Sequence, residues 1–293
     1  MNVFKTALLG STLIAFSMTA AAQQNKPVPL EAADCERLNI MYSDLSVGRA
    51  IQHAKVPLSA GMLEVRPSQN GGVQIEKGTG REYSITACIA AGARDRAEAH
   101  RLADAARLRI SGGRIDVENP AAANKSWSAH FIIEVPDGGS VDVETSNGPI
   151  SISGATGKFS ARAINGPIDV SDVDGEVRAR ATNGPISVSG NRGNIDASTT
   201  NGPVSVVLKG TRWDGQLDAR ANSGPLEVSV PPDYRSGVEI SSRGGSPWDC
   251  KAAACRSGGG WDQGSRTLRV GPDPVVVKVS TVNGPVAVRD ARR

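Results

Sequence analysis

The stretches NGPISISGATGKFSARAI (147–164), NGPIDVSDVDGEVRARAT (165–182) and NGPISVSGNRGNIDASTT (183–200) are three copies of one unit of 18 residues. The tripeptide Asn-Gly-Pro opens at Asn147, Asn165, Asn183 and Asn201, and again at Asn283. Ser223-Gly224-Pro225 is a variant of it and Asn70-Gly71-Gly72 a weaker echo. Counted from the Asn, the fourth position reads Ile150, Ile168, Ile186, Val204 and Leu226, and the sixth Ile152, Val170, Val188, Val206 and Val228. The thirteenth reads Phe159, Val177 and Ile195, then Leu217 and Val238 after small insertions; the fifteenth is Ala161, Ala179, Ala197 and Ala219. Polar residues lie between them, so apolar and polar positions alternate with period two in both halves of the unit. Each unit therefore reads as two half-buried strands.

The turns follow from residue chemistry. Asn tolerates left-handed φ, Gly accepts it without strain, and Pro fixes re-entry into the next strand. A single unit cannot fold alone, because the entropy lost on ordering 18 residues exceeds what three large aliphatic side chains return on burial. Stacked units share hydrogen-bond ladders and one core. Stacking also aligns the Asn residues, whose amides can form a ladder. The expected fold is all-β: a single-domain, right-handed parallel β-solenoid with two strands per 18-residue coil. A β-sandwich also shows short strands at regular turn spacing, but the constant unit length and the identical turn favour the solenoid.

Around this centre the chain divides as follows. Residues 1–22 read as a secretory signal peptide, with Lys5 before a short apolar stretch and Ala20-Ala21-Ala22 at the cleavage end. Residues 23–60 form an N-terminal extension. The solenoid domain spans 61–293, with regular repeats at about 141–240, a Gly-rich loop carrying two Cys at 241–265, and a final coil at 266–290. Strands are expected over Leu63–Ile75 and Tyr83–Ile89. Ala99, Leu102, Ala103 and Ala106 mark one face of a short helix, about Arg94–Arg107, that caps the open end. No later stretch is apolar enough to cross a bilayer as a helix. A periplasmic or secreted location is expected.

Four Cys in an exported chain point to two disulfides. Cys250 and Cys255 are close in sequence, which leaves Cys35 and Cys88 for each other. The net charge is +3, from 33 basic and 30 acidic residues, and the basic residues are dispersed. That is a poor match to a nucleic-acid surface. The expected partner is an envelope component, a protein or an anionic glycan. No cofactor is expected.

His53, His100 and His130 fall in no metal-ligand spacing, and no nucleophile or phosphate-loop motif occurs. Asp169, Asp172, Asp174 and Glu176 crowd one turn and offer calcium-type ligands. Neighbouring units do not repeat them, and ordinary Asp-Gly turn chemistry is the preferred reading. The candidate interaction surface is a column of Arg162, Arg180 and Arg220 with Arg178 beside it, because guanidinium groups hold carboxylates or phosphates bidentately. Trp248 and Trp261 flank the Cys loop. They suit either contact with a partner or packing on the flank.

Ile133-Glu134-Val135-Pro136, followed by repeated Asn-Gly-Pro-[Ile/Val] units, resembles the bacterial “putative adhesin” β-strand-repeat family, a domain of unknown function. The resemblance spans roughly Leu63 to Val288. Pro after Asn-Gly departs from the acidic residue more usual in that family. The resemblance implies a cell-envelope or secreted location and a β-solenoid without catalytic residues. Composition and resemblance together favour a non-enzymatic structural or interaction protein. A β-helix enzyme acting on an envelope or extracellular glycan is the first alternative, and an envelope-stress sensing or regulatory protein the second.

Overall fold

The computed structural model describes Cys35 and residues 40–67, 70–118, 126–244, 248–257 and 261–291. Residues 1–22, the stretch expected to be a signal peptide, lie outside the described residues. Before the regular repeats come β1 (Ser46–Pro57), β2 (Met62–Val65), β3 (Val73–Lys77), β4 (Glu82–Ala93), α1 (Arg96–Ala105), β5 (Arg107–Ser111), β6 (Arg114–Glu118), β7 (Trp127–Val135) and β8 (Gly139–Thr145). The repeats supply β9 (Ile150–Ser153), β10 (Thr156–Asn165), β11 (Ile168–Ser171), β12 (Asp174–Asn183), β13 (Ile186–Gly190), β14 (Arg192–Asn201), β15 (Val204–Leu208), β16 (Asp214–Ser223) and β17 (Leu226–Val230). The chain ends with β18 (Gly237–Ser242), β19 (Trp248–Cys250), α2 (Ala254–Ser257), β20 (Thr267–Val270), β21 (Val275–Asn283) and β22 (Val286–Asp290).

The fold is mostly β, in two mixed sheets of 11 strands each. The first runs β1-β4-β7-β3-β9-β11-β13-β15-β17-β22-β19 and the second β20-β18-β21-β16-β14-β12-β10-β8-β2-β6-β5. Each regular repeat places one strand in each sheet, in parallel with the equivalent strand of the next repeat. Ile150, Ile168, Ile186, Val204, Leu226 and Val286 lie side by side in one ladder. Val143, Ala161, Ala179, Ala197, Ala219 and Val279 do so in the other. All of these are buried. Residues of both sheets form one continuous apolar core, to which the Ala column contributes only methyl groups.

Three findings differ from the sequence reading. First, pairing is parallel through the repeats but antiparallel at both ends, in β1/β4, β4/β7, β5/β6 and β18/β20. The β5–β6 hairpin turns on Gly112 and Gly113, at φ +57° and +83°. Such a two-residue turn joins only antiparallel neighbours. Second, the stretch expected as one strand over Leu63–Ile75 is β2 and β3, which belong to different sheets. Third, β1 falls in the segment set apart as an extension, yet it is the edge strand of the first sheet and pairs with all of β4.

The turn chemistry also differs. Among the described residues no Asn of the tripeptide has positive φ, nor do Gly148, Gly166, Gly184 or Gly202. Gly is required there by close approach instead. A Cβ on Gly166 would lie 2.2 Å from the Gly148 carbonyl oxygen, and one on Gly184 or Gly202 2.1 Å from the oxygen of the preceding Gly in the column. The Asn side chains form the expected ladder. Nδ2 donates to the preceding Oδ1 from Asn147 to Asn70 (3.2 Å), Asn165 to Asn147 (2.9 Å), Asn183 to Asn165 (3.0 Å) and Asn201 to Asn183 (3.0 Å).

Helix α1 is capped by Asp95, whose carboxylate accepts the Glu98 N–H at 2.9 Å. It packs on β1 and β4, with Ala99 and Ala103 buried. Gln52 of β1 reaches across the same end: its amide donates to the Ala106 carbonyl and accepts the Leu108 N–H, both at 2.8 Å. The two edge strands, β1 and β5, are thus tied by one side chain. At the other end Ala252 and Ala254 enter the core.

Candidate interaction face

Side chains that alternate out of the second sheet fall into two columns. One contains Asp142, Ser160, Arg178, Asp196, Asp218 and Lys278; the other contains Glu144, Arg162, Arg180, Ser198, Arg220 and Ser280. The structure therefore brings Arg162, Arg180 and Arg220 into one column with Arg178 in the next, and places acids among them. Asp142 lies between Arg66 at 2.6 Å and Arg162 at 3.5 Å. Asp196 lies between Arg180 at 2.5 Å and Arg220 at 2.8 Å. The two Arg-Asp-Arg groups are built alike: Asp196 of β14 is flanked by Arg180 of β12 and Arg220 of β16, and Asp142 of β8 by Arg162 of β10 and by Arg66, the residue that follows β2.

One Arg in each group does more than pair. Arg180 Nη2 holds the Asp196 carboxylate, while Nη1 donates to the Asp196 carbonyl at 2.8 Å and to the Ala179 carbonyl at 3.0 Å. Arg66 grips Asp142 in the same way, and Arg289 grips Asp249 on the first sheet. These three are clamps on the strand register. Arg162, Arg178 and Arg220 are more exposed than Arg180. Arg178 pairs with Glu176 at 2.8 Å, and Arg220 also approaches Asp218 at 3.4 Å.

The electrostatics follow. Burial opposes the charge on Asp196, but hydrogen bonds from Arg180 and Arg220 and the charges of both outweigh it, and its carboxyl is held below the usual range. Asp142 is likewise held down: burial works against it, and Ser160, Arg66 and the Arg162 charge overcome that. Its bond to Asp196, against some desolvation, pushes the Arg220 guanidinium up.

Over β12, β14, β16 and β21 the face dips into a shallow groove of about 540 Å³. The short side chains of β14, Asn194 and Asp196, lie between the longer Glu176 and Arg178 of β12 and Gln216 and Arg220 of β16, with Lys278 beyond. Asn194 Oδ1 accepts the Gln216 N–H at 3.1 Å, which leaves its NH₂ end for solvent or a ligand.

The remaining candidates lie elsewhere. Trp248 and Trp261 pack on each other, with ring centroids 4.3 Å apart, and both rest against the core. Disulfides join Cys35 to Cys88 and Cys250 to Cys255, with Cα separations of 5.3 and 6.3 Å. Asp169 lies in the first sheet and Glu176 in the second; Asp172 pairs with Lys209 at 2.6 Å and Asp174 with Arg192 at 3.5 Å. Among the described residues no three His, Cys, Asp or Glu side chains are placed to share a metal ion. His130 is desolvated, which lowers its pKa, and its Nδ1 accepts the Gly72 N–H at 3.1 Å.

The sequence reading missed Asp142, Asp196, Asp218, Gln216 and Lys278 as members of this face. A usable signal exists. With an 18-residue repeat, residue i lies beside i+18 and diagonal to i+16, and Arg180 and Asp196 are 16 apart.

No family model and no curated protein matches the sequence. Among solved structures, a “putative cell adhesion protein” from Clostridium sporogenes aligns with a TM-score of 0.34 and 11% identity, over 83% of this chain and 99% of that one. A “putative lipid binding protein” from Parabacteroides distasonis aligns with a TM-score of 0.28 and 11% identity, over 82% of this chain and 96% of that one.

Proposed function

We propose that the stacked repeats form a right-handed β-solenoid, two strands per coil, and that the chain is an exported, non-enzymatic interaction protein of the bacterial cell envelope. The observation that carries this reading is the charged face of the second sheet. Side chains from β12, β14, β16 and β21 meet there in one groove, and those of Glu176, Arg178, Asp196, Asp218 and Arg220 are held by ion pairs with their neighbours. Such a surface presents many small polar contacts on a rigid support, which suits recognition spread over an area rather than chemistry at one atom. Export is supported by the signal-like N-terminus and by two disulfides. Among the described residues no helix is long and apolar enough to cross a membrane. The tryptophan pair is a weaker candidate, because its rings are used against each other and the core.

The test is a binding titration of the purified mature chain against fractionated envelope polysaccharides and proteins. Arg178→Ala and Arg220→Ala should each weaken binding modestly and together strongly, with circular dichroism unchanged. Retained binding in the double variant and loss in Trp248→Ala would move the site to the Cys loop. Glycan turnover by the purified chain, abolished by a single substitution, would overturn the non-enzymatic reading.

A further inference from the structure

The groove on the second sheet has a charge balance that selects among ligands. Glu176, Asp196 and Asp218 face Arg178, Arg220 and Lys278, three carboxylates against three cations. All but Lys278 are engaged with a neighbour of opposite sign. Beyond the one ammonium group of Lys278, a polyanion arriving here would have to displace a carboxylate from its guanidinium or lie against it, and a polycation would meet the mirror problem. Neither gains what a free Arg column would give.

A hydroxyl group meets no such conflict. It donates one hydrogen bond and accepts others. Set over an acid–base pair, it donates to a free carboxylate lone pair and accepts from a remaining guanidinium N–H without breaking the pair. The amides of Gln216 and Asn194 add a donor and an acceptor at the floor. The same chemistry recurs on the face. The group centred on Asp142 lies three strands from that centred on Asp196, roughly 14 Å at ordinary strand spacing. A linear molecule crossing the strands would meet it twice.

We infer that this face takes an uncharged, hydroxyl-rich polymer, a neutral glycan lying across the strands. The inference rests on the reading of the second sheet as the binding face. Among the described residues no aromatic ring lines the groove, so affinity comes from many hydrogen bonds and grows with ligand length. It is nearly independent of ionic strength, because no counterions are exchanged.

The experiment is calorimetric titration of the full mature chain with a soluble neutral β-glucan and, separately, with polygalacturonate, at low and high salt. The expected result is binding of the neutral polymer at an affinity that salt hardly changes. Gln216→Ala and Asp218→Ala should each weaken it about two- to tenfold. Ser187→Ala, on the outer face of the other sheet, should leave it unchanged. Tighter, salt-sensitive binding of polygalacturonate through the same residues would overturn the neutral-glycan inference and leave the binding face standing. Binding of neither polymer, or binding indifferent to Gln216 and Asp218, would overturn the inference; a protein ligand sensitive to Arg178 and Arg220 would show that the face itself survives.

Discussion

Asp196 illustrates how one residue can stabilise the stack and shape its surface together. Its folded pKa is depressed, so the unfolded chain takes up its proton at higher pH than the folded chain does. Its contribution is therefore present above the unfolded value, about 3.9, and is lost as pH falls through the lower folded value. Denaturant titrations at pH 7 and pH 3 should show a loss of stability that Asp196→Asn reduces. His130 acts in a separate window. Burial lowers its pKa, so below about 6.5 the unfolded chain binds the proton first and stability falls toward the folded value. Protonation also removes the acceptor for the Gly72 N–H. His130→Asn should flatten stability between pH 7 and pH 5; an unchanged slope would assign it to another group. The Arg column was legible because the Arg residues recur at constant phase. The acids that neutralise it show only when successive repeats are set side by side, because Asp142 and Asp196 lie diagonally across the ladder and nothing in a single repeat pairs them.

At the scale of the strand, the Gly column sets the tolerance. Gly184→Ala places a methyl group 2.1 Å from the Gly166 carbonyl oxygen, between two backbones that cannot move apart without losing the ladder. A cost of about 1–3 kcal/mol is expected, and Ala179→Leu in the core should cost a similar amount, whereas Ser198→Ala on the outer face should cost little. Thermal denaturation of the three variants checks the order. The existence and phase of the repeat strands could be read from alternation alone, since a one-residue slip would turn every aliphatic residue outward. The reason for Gly could not. Positive φ and close approach both demand Gly, and only the stacked neighbour distinguishes them. The end strands were hidden for a similar reason: the turn echo at Asn70-Gly71-Gly72 lies between β2 and β3, and only the pairing shows that the two belong to different sheets. The disulfides hold elements of different reach. Chain-entropy reasoning gives about 4 kcal/mol for closing Cys35 to Cys88 and about 2 for Cys250 to Cys255, so the Cys250→Ala/Cys255→Ala double variant should unfold at a higher temperature than the Cys35→Ala/Cys88→Ala one.

The whole molecule behaves as a stack in which each unit answers to its neighbours. Removing residues 165–182 deletes one β11–β12 step and brings equivalent residues together, so the shortened chain should keep its circular dichroism and melt cooperatively. Removing only 165–173 would shift strands between sheets and should abolish the fold. The Asn ladder runs from Asn70 to Asn201, and it bears on how the protein ages. Asn-Gly sequences lose ammonia when the glycine nitrogen attacks the side-chain amide carbon; water then opens the ring to Asp or isoaspartate. In the ladder the amides of Asn165, Asn183 and Asn201 are held by their neighbours. Ser223 has no amide and interrupts the ladder, so no Asn of the preceding repeat is there to hold the Asn283 side chain. Peptide mapping after prolonged incubation at mildly alkaline pH should find deamidation at Asn283 first, whereas the unfolded chain should lose ammonia at every Asn-Gly alike. Folding would then set the chemical lifetime of its own repeat, protecting the motif wherever it is stacked and leaving the last copy to record elapsed time.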